Sequence, residues 1–220
     1  MPGVVSVHKL SPLNIADSEG NPHYGADQKW YSGVRQRLSG CGPTVGASLL
    51  WYLARTCPSC TDLAPAEQTK EAMVVLMESV WRYIKPGIFG VTRTDVFRNG
   101  ILRFAADRGV GLAANALNVP PKTSGRPSSA QVAAFLKNEL VKGLPLAFLN
   151  LGSGQEKRLQ NWHWMVLFAF SPDTLTGWFY DEGERREFDL ELWLKSSPKG
   201  GGFVTVYPVD GQHHQQPCFL

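Results

Sequence analysis

The chain of 220 residues contains no apolar stretch approaching the roughly 18 residues that a membrane-crossing helix needs, so no membrane partner is expected. It also lacks any long run of one charge sign. Basic residues are interspersed with acidic ones and the net charge is only +3, so the electrostatic footprint of a nucleic-acid binder is missing. Repeats and low-complexity tracts are absent too, which leaves a single domain over residues 1–220 as the expected organisation. Met1-Pro2-Gly3-Val4-Val5-Ser6-Val7-His8-Lys9 offers no apolar core of signal-peptide length, and a cytoplasmic location is expected.

Cysteine is scarce, with four in the chain. Cys57-Pro58-Ser59-Cys60 has the spacing of a redox dithiol or half of a zinc site, but no second pair completes four ligands. Cys218 stands apart beside His213 and His214, so a composite site would require the carboxyl-terminal segment to reach the pair. A surface turn with two incidental thiols is the simpler expectation. Gly152-Ser153-Gly154 lacks the third glycine and following helix of a dinucleotide loop. No metal and no cofactor is therefore expected.

What is present is a core. Hydrophobic residues make up 43% of the chain and aromatics 11%, enough to bury a sizeable interior. Met73, Leu76, Met77, Val80, Trp81 and Ile84 recur at helical spacing, as do Phe97, Ile101, Phe104 and Ala105. Ser128-Ser129-Ala130-Gln131 reads as a capping box before Val132, Phe135, Leu136 and Leu140. Asn118 to Pro127 is a loop by composition. From residue 144 the pattern becomes strand-like, over 144–150, 162–170, 177–181 and 203–207. Helices precede strands instead of alternating with them, which predicts an α+β fold with an antiparallel sheet.

Four positions carry candidate chemistry. Cys41 lies in Ser39-Gly40-Cys41-Gly42-Pro43-Thr44, before a run in which Val45, Leu49, Tyr52 and Leu53 share one helical face. A thiol at a helix start is favoured as thiolate by the dipole and unpaired N–H groups there, although a lone cysteine is more often a small core hydrophobe. A base would decide between the two. Among the five histidines, His163 opens the aromatic strand run His163-Trp164-Met165-Val166, whereas the other four lie in terminal or turn-like surroundings. If 162–170 and 177–181 form a hairpin, Asp181 comes beside His163 as the acid that orients it, with Glu182 and Glu184 as nearby alternatives. The backbone N–H of Cys41 and the amide of Gln36 are candidates for an oxyanion hole.

Gln36, Gly40-Cys41-Gly42-Pro43-Thr44 opening a helix, His163-Trp164 on a strand and Asp181 at the next strand's end together resemble a papain-like cysteine peptidase. The pattern is most similar to the peptidases that remove double-glycine leaders from bacteriocins and to their free-standing relatives. The resemblance implies a nucleophile helix packed on an antiparallel sheet that carries His and Asp, with Gln36 in the oxyanion hole. It also implies cleavage of a peptide or protein substrate through a thioester. The chain departs from the leader peptidases in lacking a transmembrane helix and an acidic residue just before Gly40, so the double-glycine substrate is not carried over. Two rival functions use the same residues: acyl transfer of the transglutaminase type, and peptide binding without cleavage.

Overall fold

The computed structural model describes residues 3–16, 19–20, 22–122 and 125–209. Cys218, His213 and His214 lie outside the described residues. Three short strands come first, β1 (Val5–Ser6), β2 (Asn14–Ala16) and β3 (Pro22–Tyr24). Four helices follow, α1 (Val34–Ser39), α2 (Cys41–Thr56), α3 (Lys70–Trp81) and α4 (Thr94–Ala106). Then come β4 (Leu112–Val119), α5 (Ser129–Leu140), β5 (Leu146–Asn150), β6 (His163–Ser171), β7 (Thr176–Asp181), β8 (Glu184–Asp189), α6 (Leu190–Ser196) and β9 (Gly201–Pro208).

The fold is α+β. Seven strands form one antiparallel sheet in the order β4-β9-β5-β6-β7-β8, with β1 paired to β6 beside that path, while β2 and β3 make a separate hairpin. Every residue of β5 and β6 is buried. Such continuous burial requires cover on both faces, and β6 meets α2 and α5.

The helix that Cys41 opens, α2, is buried more completely than a one-faced stripe would require. Every residue from Cys41 to Leu53 is buried, so α2 runs through the interior with α3, α4 and the sheet around it. Gly42 and Gly46 make that approach possible: a Cβ at Gly42 would lie 2.9 Å from Val91 Cγ2, and one at Gly46 would lie 2.5 Å from Ile84 Cδ1. The capping box at Ser128 and Gln131 forms as the sequence predicts.

Several elements escape sequence reading. β4 is made of Leu112-Ala113-Ala114-Asn115-Ala116-Leu117-Asn118-Val119, a composition with low strand propensity, and it is fixed by pairing with β9 along its whole length. Its end at Val119 also shortens the expected loop, which begins at Pro120. β8 opens with Glu184-Arg185-Arg186, a charged stretch without a strand signature, on the outer strand of the sheet, where charge is normal. Ile84, grouped with the stripe of the third helix, is buried beyond the end of α3.

Candidate active site

Cys41 is the first residue of α2, with Gly40 as N-cap. The first turn of a helix has N–H groups without intrahelical acceptors, and Cys41 stands among them. Gly40 is required by crowding, since a Cβ there would lie 2.3 Å from the Gln36 carbonyl oxygen and 2.7 Å from the Tyr31 ring. Tyr31 is itself anchored, donating its hydroxyl to the Met77 carbonyl at 3.1 Å.

His163 begins β6 opposite Asn150 of β5. Asn150 is fully buried, and its side chain donates to the Gln160 carbonyl at 2.7 Å while accepting from Trp193 Nε1 at 2.9 Å and Gly152 N at 3.1 Å. The chain entering His163 is thereby tied down. On the other side, Trp164 donates Nε1 to the Val91 carbonyl at 2.6 Å and stacks on Phe97, with centroids 4.4 Å apart.

Asp181 ends β7. The register pairs Val166 with Tyr180, so His163 and Asp181 are diagonal neighbours across the hairpin. Their side chains meet: His163 Nε2 lies 2.6 Å from Asp181 Oδ1. The other carboxylate oxygen has no hydrogen-bond partner among the described residues, but Arg186 Nη1 stands 3.6 Å from it, an ion-pair distance. The alternatives named from sequence are engaged elsewhere, Glu182 with Lys29 at 3.1 Å and Glu184 with Arg186 at 2.8 Å.

With Nε2 on the carboxylate, Nδ1 is left for a second partner, and Cys41 lines the same cavity as His163. Burial works against a charged imidazole here. Hydrogen bonds and charge from Asp181 and Cys41 outweigh it and push the His163 pKa up to about 10. The net effect favours the charged imidazole. Cys41, His163 and Asp181 retain only 7%, 6% and 6% exposure.

Two non-glycine residues with left-handed backbone flank the pair, Trp162 at φ 57° just before His163 and Glu182 at φ 48° just after Asp181. Such conformations are uncommon for large side chains and cluster at functional sites. The β2–β3 hairpin braces the second of these turns. Tyr24 N donates to the Gly183 carbonyl at 3.3 Å, and the His23 ring lies where a Cβ on Gly183 would fall, 2.2 Å from Nε2.

The structure does not bring Gln36 to this site. Gln36 sits on α1 and its amide donates to Glu78 Oε2 at 2.5 Å, whereas the cavity beside Cys41 and His163 is lined by Gln28. Gln28 opens a one-turn helix capped by Asp27, and its Nε2 donates to the Arg37 carbonyl at 3.0 Å. One N–H of that amide is left over. The sequence signal for Gln28 is Asp27 as a helix cap immediately before it; proximity along the chain points to Gln36, but α1 turns Gln36 toward Glu78.

Cys57 and Cys60 are buried, not on a surface turn: Cys57 ends α2 and Cys60 lies in the short helix after it. Cys57 Sγ is 3.2 Å from the Ser59 hydroxyl. Among the described residues no cluster of His, Cys, Asp and Glu could hold a metal ion, and no helix is long and apolar enough to cross a membrane.

No protein-family model matches the chain, and no curated protein matches it. Among solved structures, the Pseudomonas avirulence protein AvrPphB aligns with 76% of this chain and 91% of its own, at 13% identity and a TM-score of 0.35. A likeness at that level carries no argument about family or function.

Proposed function

We propose that this chain is a thiol-dependent hydrolase of peptide or amide bonds, with Cys41 as nucleophile, His163 as its base and Asp181 as the group that orients the base. The observation that carries this reading is the 2.6 Å contact between Asp181 Oδ1 and His163 Nε2, with His163 and Cys41 lining one cavity. Three residues far apart in sequence are gathered around one cavity at a helix start, an arrangement that supports acyl transfer.

The steps follow from the atoms. Cys41 gives its proton to His163 Nδ1 as its sulfur attacks the carbonyl carbon of the substrate. Negative charge develops on the carbonyl oxygen, where the first-turn N–H of Cys41 and the second N–H of Gln28 donate to it. As the C–N bond breaks, His163 returns the proton to the departing amine, leaving a thioester. Water then attacks the thioester carbon, His163 takes one of its protons, and collapse releases the acid and restores the Cys41 and His163 pair. Throughout, Asp181 keeps the ring in place and balances its positive charge.

The test is incubation with a diverse peptide library and mass spectrometry of the products, using native protein and Cys41→Ala in parallel. New amino termini formed by the native protein alone are expected. Intact peptides in both samples would contradict hydrolysis, and products carrying an added amine would move the reading to acyl transfer.

A further inference from the structure

Cys41, His163 and Asp181 line a small cavity of about 20 Å³, together with Gln28, Thr44 and the chain at Gly25 and Ala26. Among the described residues, five buried side-chain atoms have no hydrogen-bond partner, and three of them are oxygens of residues lining this cavity: Gln28 Oε1, Thr44 Oγ1 and Asp181 Oδ2. Buried polar atoms are as a rule paired, so three orphans gathered at one place call for a shared partner.

The fold shows why each oxygen is left over. The Gln28 amide gives an N–H to the Arg37 carbonyl at 3.0 Å, and its oxygen is unused. Asp181 meets His163 through Oδ1, while Arg186 stands 3.6 Å from Oδ2, beyond a hydrogen bond. Thr44 lies one turn into α2, its N–H bonded to the Gly40 carbonyl at 2.9 Å. A helical hydroxyl commonly turns back to the carbonyl one turn earlier, as Ser48 does to Thr44 at 3.0 Å, but the Thr44 hydroxyl makes no such bond. The Tyr31 hydroxyl also approaches Thr44. Its own proton goes to the Met77 carbonyl at 3.1 Å, and the two oxygens do not meet in hydrogen-bond geometry.

The shared partner that fits is water. Gln28 Oε1 and Asp181 Oδ2 only accept, and the single Thr44 proton cannot serve both. Water donates twice and accepts the third bond on its own oxygen. A cavity admits one water when about 10–15 Å³ is open to it, so about 20 Å³ suits one molecule. A cation is disfavoured, because His163, Arg186 and the Lys29 ammonium on Glu182 already set positive charge around Asp181.

Resting on the hydrolase reading, we propose that one water is bound here, donating to Gln28 Oε1 and Asp181 Oδ2 and accepting from Thr44 Oγ1, and that Thr44 is thereby a positioning residue for both. Through this water a hydroxyl on the helix of the nucleophile fixes which way the Gln28 amide faces, keeping its second N–H for the oxyanion. The same water holds Asp181 by one oxygen while the other holds His163.

High-resolution crystal structures and cleavage kinetics of native protein, Thr44→Val and Thr44→Ser test this. The valine keeps the shape and removes the hydroxyl; the serine keeps the hydroxyl and removes a methyl group. Native crystals should show one water at about 2.6–3.0 Å from the three oxygens, and Thr44→Val should lack it. With a peptide that the native protein cleaves, Thr44→Val should lower kcat about tenfold with KM within about twofold, and Thr44→Ser should stay within about threefold of the native kcat. A native cavity without density, density at about 2.4 Å or less from the oxygens, which marks a cation, an undiminished kcat in Thr44→Val, or Thr44→Ser as impaired as Thr44→Val would each overturn the proposal. Native protein that cleaves no peptide would overturn the hydrolase reading and the positioning role together, while the native density still decides whether the water is bound.

Discussion

His163 is a residue through which pH acts on the fold. Its pKa rises from 6.5 to about 10 in the folded chain, so its charged form is bound more tightly in the native state than in the unfolded one. A raised pKa contributes stability that is fully present below 6.5 and disappears as pH climbs through about 10. The difference in unfolding free energy between native protein and His163→Gln should therefore be largest near pH 6 and shrink toward pH 10, measured by urea unfolding across that range. A difference independent of pH would remove the charged pair from the account. The two glutamines give a second contrast. Gln28→Ala should lower kcat by roughly 100-fold, the usual consequence of losing one oxyanion donor, whereas Gln36→Ala, engaged with Glu78, should change it by less than about threefold.

Among the elements, the junction of α1 and α2 is the least tolerant. A methyl group at Gly40 would collide with the Gln36 carbonyl and the Tyr31 ring, both held in place, so Gly40→Ala should cost about 1–3 kcal/mol of stability and slow alkylation of Cys41 by displacing the helix start. Calorimetry and labelling rates read the two effects separately; a stable, fully reactive variant would show that the junction relaxes. Elements also decide what the residues disclose on their own. Gly40-Cys41-Gly42-Pro43 and the run from His163 to Phe170 are local signals, one of turn and helix start, the other of a covered strand, and both elements form where expected. β4 and β8 are held by neighbours distant in sequence, and nothing in Ala113-Ala114-Asn115 or Glu184-Arg185-Arg186 encodes those neighbours. Gln28 was hidden for a related reason, since only the path of α1 shows which glutamine reaches Cys41.

At the scale of the whole molecule, the sheet places β6 and β7 side by side with α2 against β6, so its other strands act as scaffold. One buried carboxylate ties that scaffold together. Glu139 of α5, 4% exposed, accepts from Asn115 of β4 at 3.0 Å, from Thr205 of β9 at 3.0 Å and from Lys142 at 2.9 Å. Removing it strands the half-buried Asn115 amide and the buried Thr205 hydroxyl, and Glu139→Ala should destabilise the fold by about 3 kcal/mol while the peptide cleavage per folded molecule persists; an unchanged midpoint in urea would contradict that role. The most direct test of the whole account is the map of thiol reactivity by iodoacetamide and peptide mass spectrometry, on native protein and on His163→Gln. Cys41 should be alkylated far ahead of Cys57 and Cys60, and its advantage should collapse in His163→Gln. Alkylation at Cys57 or Cys60 with Cys41 inert, or an undiminished Cys41 rate without His163, would contradict the proposal that these two residues form the catalytic pair.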